Sequence, residues 1–229
     1  MASVEAKQRE SKLLIEYAAK AAEQFVSLYY SAYDSRNRVG LIPTLYLGTS
    51  TVLWNGNPIQ GNGGVGELMD SLPATKHEVQ SMDAHPVGGG SNEAGFAAPS
   101  ILVTVSGVVT HHTPNSASAL PPSNAPESSS TRTKGGRYDS SLPLDSLPRA
   151  FSQNFVLVND PEGKGDGGVV VSWDSSNSVA ANGGPGSGSG GGKKSGGGGG
   201  GSSADVLRAA APTITGRFFV QADQLRFVG

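Results

Sequence analysis

Two glycine-rich stretches of this sequence have residue spacings that bind phosphate groups in other proteins. Residues 61–66 follow the pattern G-x-G-x-x-G, with Asp83 about 20 residues further on, which is typical of a dinucleotide-binding loop. That loop requires a buried parallel strand before the glycines, whereas Pro58 marks the preceding residues as an edge strand. In Gly192-Lys193-Lys194-Ser195, Lys194 separates the lysine and the serine that a phosphate-binding loop needs side by side. We therefore predict no nucleotide and no other cofactor.

Histidine, carboxylate and phenol side chains provide the remaining candidates for chemistry. His111 and His112 are adjacent, and neighbours on a strand point to opposite faces, so they cannot chelate one metal together. Asp83 could serve as a general base with Tyr29 or Tyr30 as the acid donor. No second carboxylate or His–Asp pair near Asp83 supports that role. We therefore predict no metal site and no catalytic residue.

Composition excludes several classes of partner and site. The net charge is -2 and the pI is near 6.1, so there is no electrostatic case for nucleic acid or a membrane surface as the main partner. The chain has no cysteine, which removes disulfides, thiolate zinc sites and a cysteine nucleophile. No apolar run approaches the ~20 residues of a membrane span. Residues 1–11 are charged and lack an apolar stretch, so we expect no secretory signal.

Helical periodicity predicts the elements that begin the chain. Residues 5–35 carry apolar side chains spaced by threes and fours, which predicts one long amphipathic helix. Its predicted buried stripe consists of Leu14, Ala18, Ala21, Phe25, Leu28 and Ala32. A short helix is predicted through residues 41–46, interrupted by Pro43, and another over residues 62–72.

The remaining patterns predict strands. Asn55-Gly56 lies between two strand-like runs, residues 49–54 and 57–60, which predicts a hairpin with a two-residue turn. Further strands are predicted over residues 77–85, 101–110, 150–158, 167–173 and 214–227. No helical pattern lies between them, so we predict antiparallel pairing. The predicted fold class is α+β, a curved antiparallel sheet wrapped around the long N-terminal helix and shorter helices.

Two long stretches interrupt the predicted strands. Residues 113–147 are rich in serine, proline and threonine, and residues 174–212 hold much of the chain's 33 glycines. Neither stretch can bury enough apolar surface to offset the entropy of ordering it, so we expect both to be mobile loops. Loop closure costs grow only slowly with length, so one domain can carry them. We predict a single domain over residues 1–229 with these two insertions.

Several segments resemble one family, the nuclear transport factor 2-like proteins, and within it the small partner subunit of the TAP-type general mRNA export receptor. The matching segments are residues 21–30 (AAEQFVSLYY), 45–57 (LYLGTSTVLWNGN), Leu72-Pro73, 151–155 (FSQNF) and 223–227 (DQLRF). The resemblance implies the nuclear transport factor 2-like fold. It also implies a non-catalytic subunit that forms a heterodimer with the large receptor subunit and stabilises it.

The resemblance further implies which partners the chain has. The heterodimer would contact the phenylalanine-glycine repeats of nucleoporins and carry mRNA through the nuclear pore, with RNA bound indirectly or through a composite surface. The chain would shuttle between nucleus, nuclear pore and cytoplasm. The import-factor branch binds Ran through an acidic residue directly after the tryptophan and through an acidic loop. Here Asn55 and residues 111–114 (HHTP) stand at those places, so the resemblance implies no Ran binding.

Two alternatives stay open. The chain could be an isomerase or dehydratase, since such enzymes use the cone-shaped pocket of the same fold. It could also be a Ran-binding import factor, which belongs to the other branch of the family.

The resemblance also places Asp83 at an interface. In the receptor-partner branch, the aspartate before the Gln/His-Pro faces the other subunit and pairs with an arginine, and Asp83-Ala84-His85-Pro86 matches that pattern. The alternative is that Asp83 lies at a solvated strand end and contacts no partner. Asp is disfavoured in the middle of a strand, so its presence needs a reason.

Strand alternation adds further candidates for partner contact. It places Gln153 and Phe155 on one face of their strand, and Gln221, Asp223 and Leu225 on one face of the last strand. Both faces of each strand carry apolar residues, so alternation leaves open which face points outward. The predicted partner-binding residues are Asp83, Gln153, Phe155, Gln221, Asp223 and Leu225.

Overall fold

The computed structural model describes residues 2–92, 95–112, 147–160, 167–174 and 213–228. The two predicted insertions lie outside these residues except at their edges, so their predicted mobility stays a prediction. None of the helices in the described ranges is long and apolar enough to cross a lipid bilayer.

The described residues form three α-helices, and the first and third lie where helical periodicity predicts them, while the second precedes the predicted residues 41–46. They are α1 (Ala2–Tyr33), α2 (Arg38–Leu41), which continues into a 3₁₀ turn (Ile42–Leu45), and α3 (Gly61–Ser71). The face of α1 against the sheet is broader and more aromatic than predicted, because Tyr17, Tyr29 and Tyr33 are fully buried there. Leu28, predicted in the stripe, is instead 44% exposed, so that part of the prediction is wrong.

The described residues form nine strands. Their bounds are β1 (Tyr46–Trp54), β2 (Asn57–Gln60), β3 (Ala74–Val87), β4 (Gly90–Asn92), β5 (Gly95–Ala97), β6 (Ser100–His112), β7 (Arg149–Asn159), β8 (Val169–Asp174) and β9 (Thr213–Val228). The main sheet has the order β2-β1-β9-β7-β6-β3, with β8 also paired to β9, and β4 and β5 form a small separate sheet. All of the predicted strands are present.

The sheet is mixed, which corrects the prediction of antiparallel pairing throughout. Strand β1 runs parallel to β9, with Val52 opposite Asp223 and Trp54 opposite Leu225, while all other pairs in the main sheet are antiparallel. Strand alternation and turn residues predict hairpins between strands that are neighbours in the chain. They do not predict a pairing between strands as far apart in the chain as β1 and β9.

The turn between β1 and β2 has the predicted geometry. Asn55 has φ 44° and Gly56 has φ 90°, the left-handed values that a type I′ turn requires at both central positions. The Asn55 N–H donates to the carbonyl of Leu225 at 2.8 Å, which fastens the turn to β9.

A β-bulge in β9 decides which side chains face the core. Val156 of β7 pairs with Ala222, and its neighbour Leu157 pairs with Val220, so Gln221 is the extra residue between them. The bulge reverses the alternation, so Val220 before it and Asp223 after it are both buried. This is why both sets of alternating residues contain apolar side chains.

Aromatic packing joins α1 to the inner face of the sheet. The ring of Phe155 packs edge-on against Phe25 at a centroid distance of 5.2 Å and against Tyr29 at 4.9 Å. Such edge-to-face pairs stabilise the core beyond the area they bury.

The carboxylate of one residue, Asp34, holds the start of β3 near the end of α1. Asp34, just after α1, accepts hydrogen bonds from the backbone N–H of His77 at 2.7 Å and from the Thr75 hydroxyl at 2.8 Å. The same carboxylate lies 2.6 Å from Nδ1 of His77, whose side chain is only 2% exposed. These bonds hold the start of β3 against α1, and the rest of β3 then carries its outward side chains at the edge of the sheet.

Candidate functional site: the outer face of the sheet

A row of polar side chains crosses the outer face of the sheet. Asp83 on β3 lies opposite Thr104 on β6, which lies opposite Asn154 on β7, which lies opposite Gln224 on β9. The Thr104 hydroxyl donates to Oδ1 of Asn154 at 2.9 Å. Asp83 is the charged member of this row and stands at its edge.

An apolar patch lies beside the polar row. His85 is opposite Leu102, which is opposite Val156, which is opposite Ala222. Leu102 is 39% exposed and Val156 is 38% exposed, although both belong to central strands of the sheet. Two large apolar side chains exposed side by side, rimmed by polar residues, are typical of a surface that another protein covers.

On the other side of the polar row, the face is rich in hydroxyl groups. The Oγ atoms of Ser81 and Ser106 lie 2.6 Å apart, and Ser152 and Arg226 continue this row across β7 and β9. The outer face therefore combines hydrogen-bonding groups, one apolar patch and charges at both ends.

Asp83 is held in one orientation without being buried. Its Oδ1 accepts the backbone N–H of Ala84 at 2.9 Å, and its Oδ2 lies 3.0 Å from Nε2 of His85. The side chains of Asp83 and His85 are 72% and 66% exposed. The predicted outward position of Asp83 is confirmed, while its role in partner binding stays a prediction. The same geometry corrects the sequence expectation that no His–Asp pair lies near Asp83.

Four other predicted contact residues lie inside the fold. Phe155 is fully buried, and Gln153, Leu225 and Asp223 are exposed by 5% or less. Side chains buried inside the fold cannot touch a partner on the outer face, so we withdraw these four as direct contacts. Gln221, the bulge residue, is partly exposed and donates to the carbonyl of Thr49 at 3.3 Å, so its predicted role stays open.

The buried polar residues form one network around Asp223. Its Oδ2 accepts the Tyr46 hydroxyl at 2.6 Å, and both of its oxygens accept the Gln153 side-chain amide at 2.9 Å. The Tyr30 hydroxyl donates to Oε1 of Gln153 at 2.9 Å, and the hydroxyls of Tyr29 and Tyr46 lie 3.0 Å apart. Every polar atom of the Gln153 and Asp223 side chains therefore has a partner.

Burial sets the protonation states in this network. Desolvation raises the pKa of Asp223 to about 6, although the hydrogen bonds from Tyr46 and Gln153 oppose the shift. Burial and the nearby Asp223 charge raise the pKa of Tyr29 and of Tyr46 well above the ordinary value, so both stay neutral donors. No cationic side chain among the described residues forms an ion pair with Asp223.

A buried carboxylate beside a phenol is also what a proton-transfer enzyme needs, so the isomerase alternative now depends on Asp223 rather than Asp83. Two open surface depressions, of about 440 and 420 Å³, are lined by other residues. The first lies between Lys7, Glu10 and Gly88, and the second lies beside Ile59 and Leu68. Neither connects with Asp223, whose neighbours are packed side chains.

The other chemistry-bearing motifs stay apart from this site. Within the described ranges, no three His, Cys, Asp or Glu side chains cluster to hold a metal ion. Residues 61–66 open α3 directly after β2, which is the edge strand of the sheet. That context lacks the buried parallel strand of a dinucleotide site.

Sequence reasoning missed most of the outer face. The register between strands decides which residues lie next to Asp83 across the sheet. The two-residue alternation within each strand does not determine that register. The His85–Asp83 pair, however, could have been predicted, because residues two apart on a strand share a face.

Comparison with known proteins finds a family model and several relatives that match this chain. The family model for the nuclear transport factor 2 (NTF2) domain matches residues 21–117. NTF2-related export protein 1 of Bos taurus is 37% identical over 98 residues, which cover 43% of this chain and 66% of that protein. NTF2-related export protein 1 of Schizosaccharomyces pombe is 34% identical over 95 residues, covering 42% of this chain and 74% of that protein. The match to the bovine relative thus spans just under two thirds of its length.

The solved structure of nuclear transport factor 2 from Cryptosporidium parvum has a TM-score of 0.46 at 15% identity, covering 92% of this chain and 94% of that one.

Proposed function

Because this chain belongs to the nuclear transport factor 2 family, we propose that it is the small, non-catalytic subunit of a heterodimeric mRNA export receptor. It stabilises the large receptor subunit and helps to carry mRNA through the nuclear pore. The observation that supports this proposal best is the outer sheet face, where exposed Asp83 stands next to the exposed apolar pair Leu102 and Val156. Relatives with the name NTF2-related export protein agree with it.

The partner surface follows from the chemistry of this face. Covering Leu102 and Val156 removes apolar area from water, which favours association by roughly 25 cal/mol per Å² before its entropic costs. The polar row of Thr104 and Asn154 requires matching donors and acceptors, because unpaired polar groups are costly once buried. Asp83 requires a cation, and the resemblance names an arginine of the large subunit.

The remaining partners follow from the family relation. The heterodimer contacts the phenylalanine-glycine repeats of nucleoporins, and mRNA binds indirectly or through a surface shared by both subunits. The chain has 17 basic and 19 acidic residues, which suits a shared RNA surface better than one of its own. We place it in the nucleus, at the nuclear pore and in the cytoplasm, without membrane or Ran as partners.

Heterodimer formation is tested by co-expression with the large receptor subunit. We expect the two chains to co-elute at a one-to-one ratio, and the melting temperature of this chain to rise, because a partner that binds only the folded state stabilises it. The proposal would be contradicted if this chain stayed a monodisperse monomer and its melting temperature did not change when the large subunit was present.

Asp83 is tested by titration calorimetry against that subunit. We expect Asp83→Ala to weaken binding at least tenfold, which is about 1.4 kcal/mol, because it leaves the partner's cation buried without its counter-charge. Asp83→Arg should weaken binding more, and a reversed charge on the partner should restore part of the loss. The isolated variants should keep their circular dichroism, because an exposed carboxylate contributes little to the fold.

Asp70→Ala is the matched control, because Asp70 is an exposed carboxylate on α3, away from the outer face. Unchanged affinity in both Asp83 variants would remove Asp83 from the interface.

A further inference from the structure

We infer that His85 is a positioning residue, which holds the Asp83 carboxylate in the orientation that receives the partner's cation. This inference rests on the proposed function, since it requires Asp83 to lie in a heterodimer interface. It adds a residue to that interface.

The geometry around Asp83 supports this role. The two residues share a face of β3, and Nε2 of His85 lies 3.0 Å from Oδ2 of Asp83. A carboxylate has no hydrogen to donate, so the imidazole must carry the proton on Nε2. The backbone N–H of Ala84 holds the other oxygen at 2.9 Å. Two donors, one on each oxygen, therefore fix the plane of a side chain that is otherwise 72% exposed.

The same two bonds favour one class of cation. A carboxylate oxygen accepts about two hydrogen bonds, so Asp83 keeps one acceptor site free on each oxygen. Two adjacent acceptor sites match the parallel donors of a guanidinium better than the single point of an ammonium. Holding the carboxylate before the partner arrives also reduces the side-chain entropy lost on binding.

Charged neighbours are few around this pair. Across the sheet, Asp83 and His85 face Thr104 and Leu102 on β6, neither of which titrates. In the next strand the row continues with Asn154 and Val156, which are also uncharged.

Charged groups are found in other rows and elements. On β3 itself, Glu78 and Lys76 lie opposite Val108 and Thr110 of β6, and Arg226 lies on β9 in the neighbouring row of the outer face. On the α1 side, Lys7 and Glu10 line a depression together with Pro86. His85 is therefore the titratable side chain in contact with Asp83.

Calorimetry with the large receptor subunit tests the positioning role. At pH 7.5, His85→Ala should weaken binding about fivefold, while His85→Gln, which keeps a donor, should stay within about twofold of the unmodified chain. In an Asp83→Ala background, His85→Ala should have no further effect, because its only route to the partner has been removed. Equal affinities of His85→Ala and the unmodified chain at pH 7.5 would overturn the inference.

The two proposals fail in different ways. If Asp83→Ala binds normally, the proposed interface is wrong whatever His85 does. If Asp83→Ala weakens binding and His85→Ala does not, only the role of His85 is wrong.

Discussion

Asp83 and Asp223 show how one residue type takes opposite roles on the two faces of a sheet. Both stand in the middle of a strand, where aspartate is disfavoured. Asp83 points outward and is held by a histidine and a backbone N–H, whereas Asp223 points inward and is held by a phenol and an amide. A solvated carboxylate keeps its charge for a partner, while a buried one makes the fold sensitive to protons.

The first residue-scale prediction concerns Asp223 and the pH dependence of stability. Its pKa rises from 3.8 in the unfolded chain to about 6 in the folded protein, so the folded state binds the proton more tightly. Its contribution to stability is therefore fully present below about pH 4 and is lost as the pH rises to 6. The difference corresponds to about 3 kcal/mol.

Urea unfolding at several pH values measures this effect. The free energy of unfolding of the unmodified protein relative to Asp223→Asn should increase as the pH falls from 7 to 4. Asp70→Asn, which changes an exposed carboxyl group on α3, should leave the profile of the unmodified protein unchanged. If the unmodified protein and Asp223→Asn have parallel profiles, the buried network does not hold the proton as described.

At the scale of elements, one arginine joins the short helix α2 to the end of α3. Nε of Arg38 donates to the carbonyl of Met69 at 3.0 Å and Nη1 donates to that of Pro73 at 2.7 Å, while Nη2 donates to that of Leu72. The last carbonyls of a helix have no partner within it and carry partial negative charge. The guanidinium satisfies one of these acceptors, the Met69 carbonyl, together with the carbonyls of Leu72 and Pro73 just after the helix.

Arg38→Ala should therefore lower the free energy of unfolding by about 2 kcal/mol in urea titrations. Arg38→Lys should recover only part of the loss, because an ammonium cannot present a planar fork to three carbonyls. Arg36→Ala, at an exposed position two residues earlier, should change stability by less than about 0.5 kcal/mol. Equal effects of the Arg38 and Arg36 variants would contradict this role.

Local signals in the sequence predicted the elements better than their arrangement. The 3.6-residue period predicted α1, and Asn55-Gly56 predicted the turn whose φ values the structure confirms. The outward position of Asp83 was implied by the family resemblance and not by the strand pattern. The burial of Asp223 and Leu225 was not predicted, because strict alternation fails once the bulge at Gln221 adds one residue to β9. Leu28 was misplaced because a large tyrosine beside it, Tyr29, fills the contact with the sheet.

At the scale of the whole molecule, the β1–β2 turn bears on whether this chain can bind Ran. Asn55 lies at the exposed tip of the β1–β2 turn with φ 44°, where asparagine is among the few residues tolerated without strain. The resemblance places an acidic Ran contact at this position in the import factor. The turn geometry alone thus accounts for Asn55, independently of any partner.

We predict that Ran loaded with GDP shows no detectable binding at micromolar concentrations in calorimetry. Asn55→Glu alone should not create binding, because residues 111–114 supply no acidic loop, and it should lower stability by about 1 kcal/mol through the left-handed backbone. The import factor serves as the positive control. A clear complex between Ran and the unmodified chain would place this protein in the import-factor branch.

The parallel pairing of β1 with β9 has a consequence for how the protein is made. Tyr46 and Asp223, which bond across this part of the fold, are 177 residues apart in the chain. Contacts of such long sequence separation slow folding, because loop closure must precede any gain from packing. During synthesis at about 5–20 residues per second, β9 would leave the ribosome roughly ten seconds or more after α1. The aromatic face of α1 would stay without this part of the sheet during that time. Cellular yield should therefore depend on chaperones that shield α1 during translation.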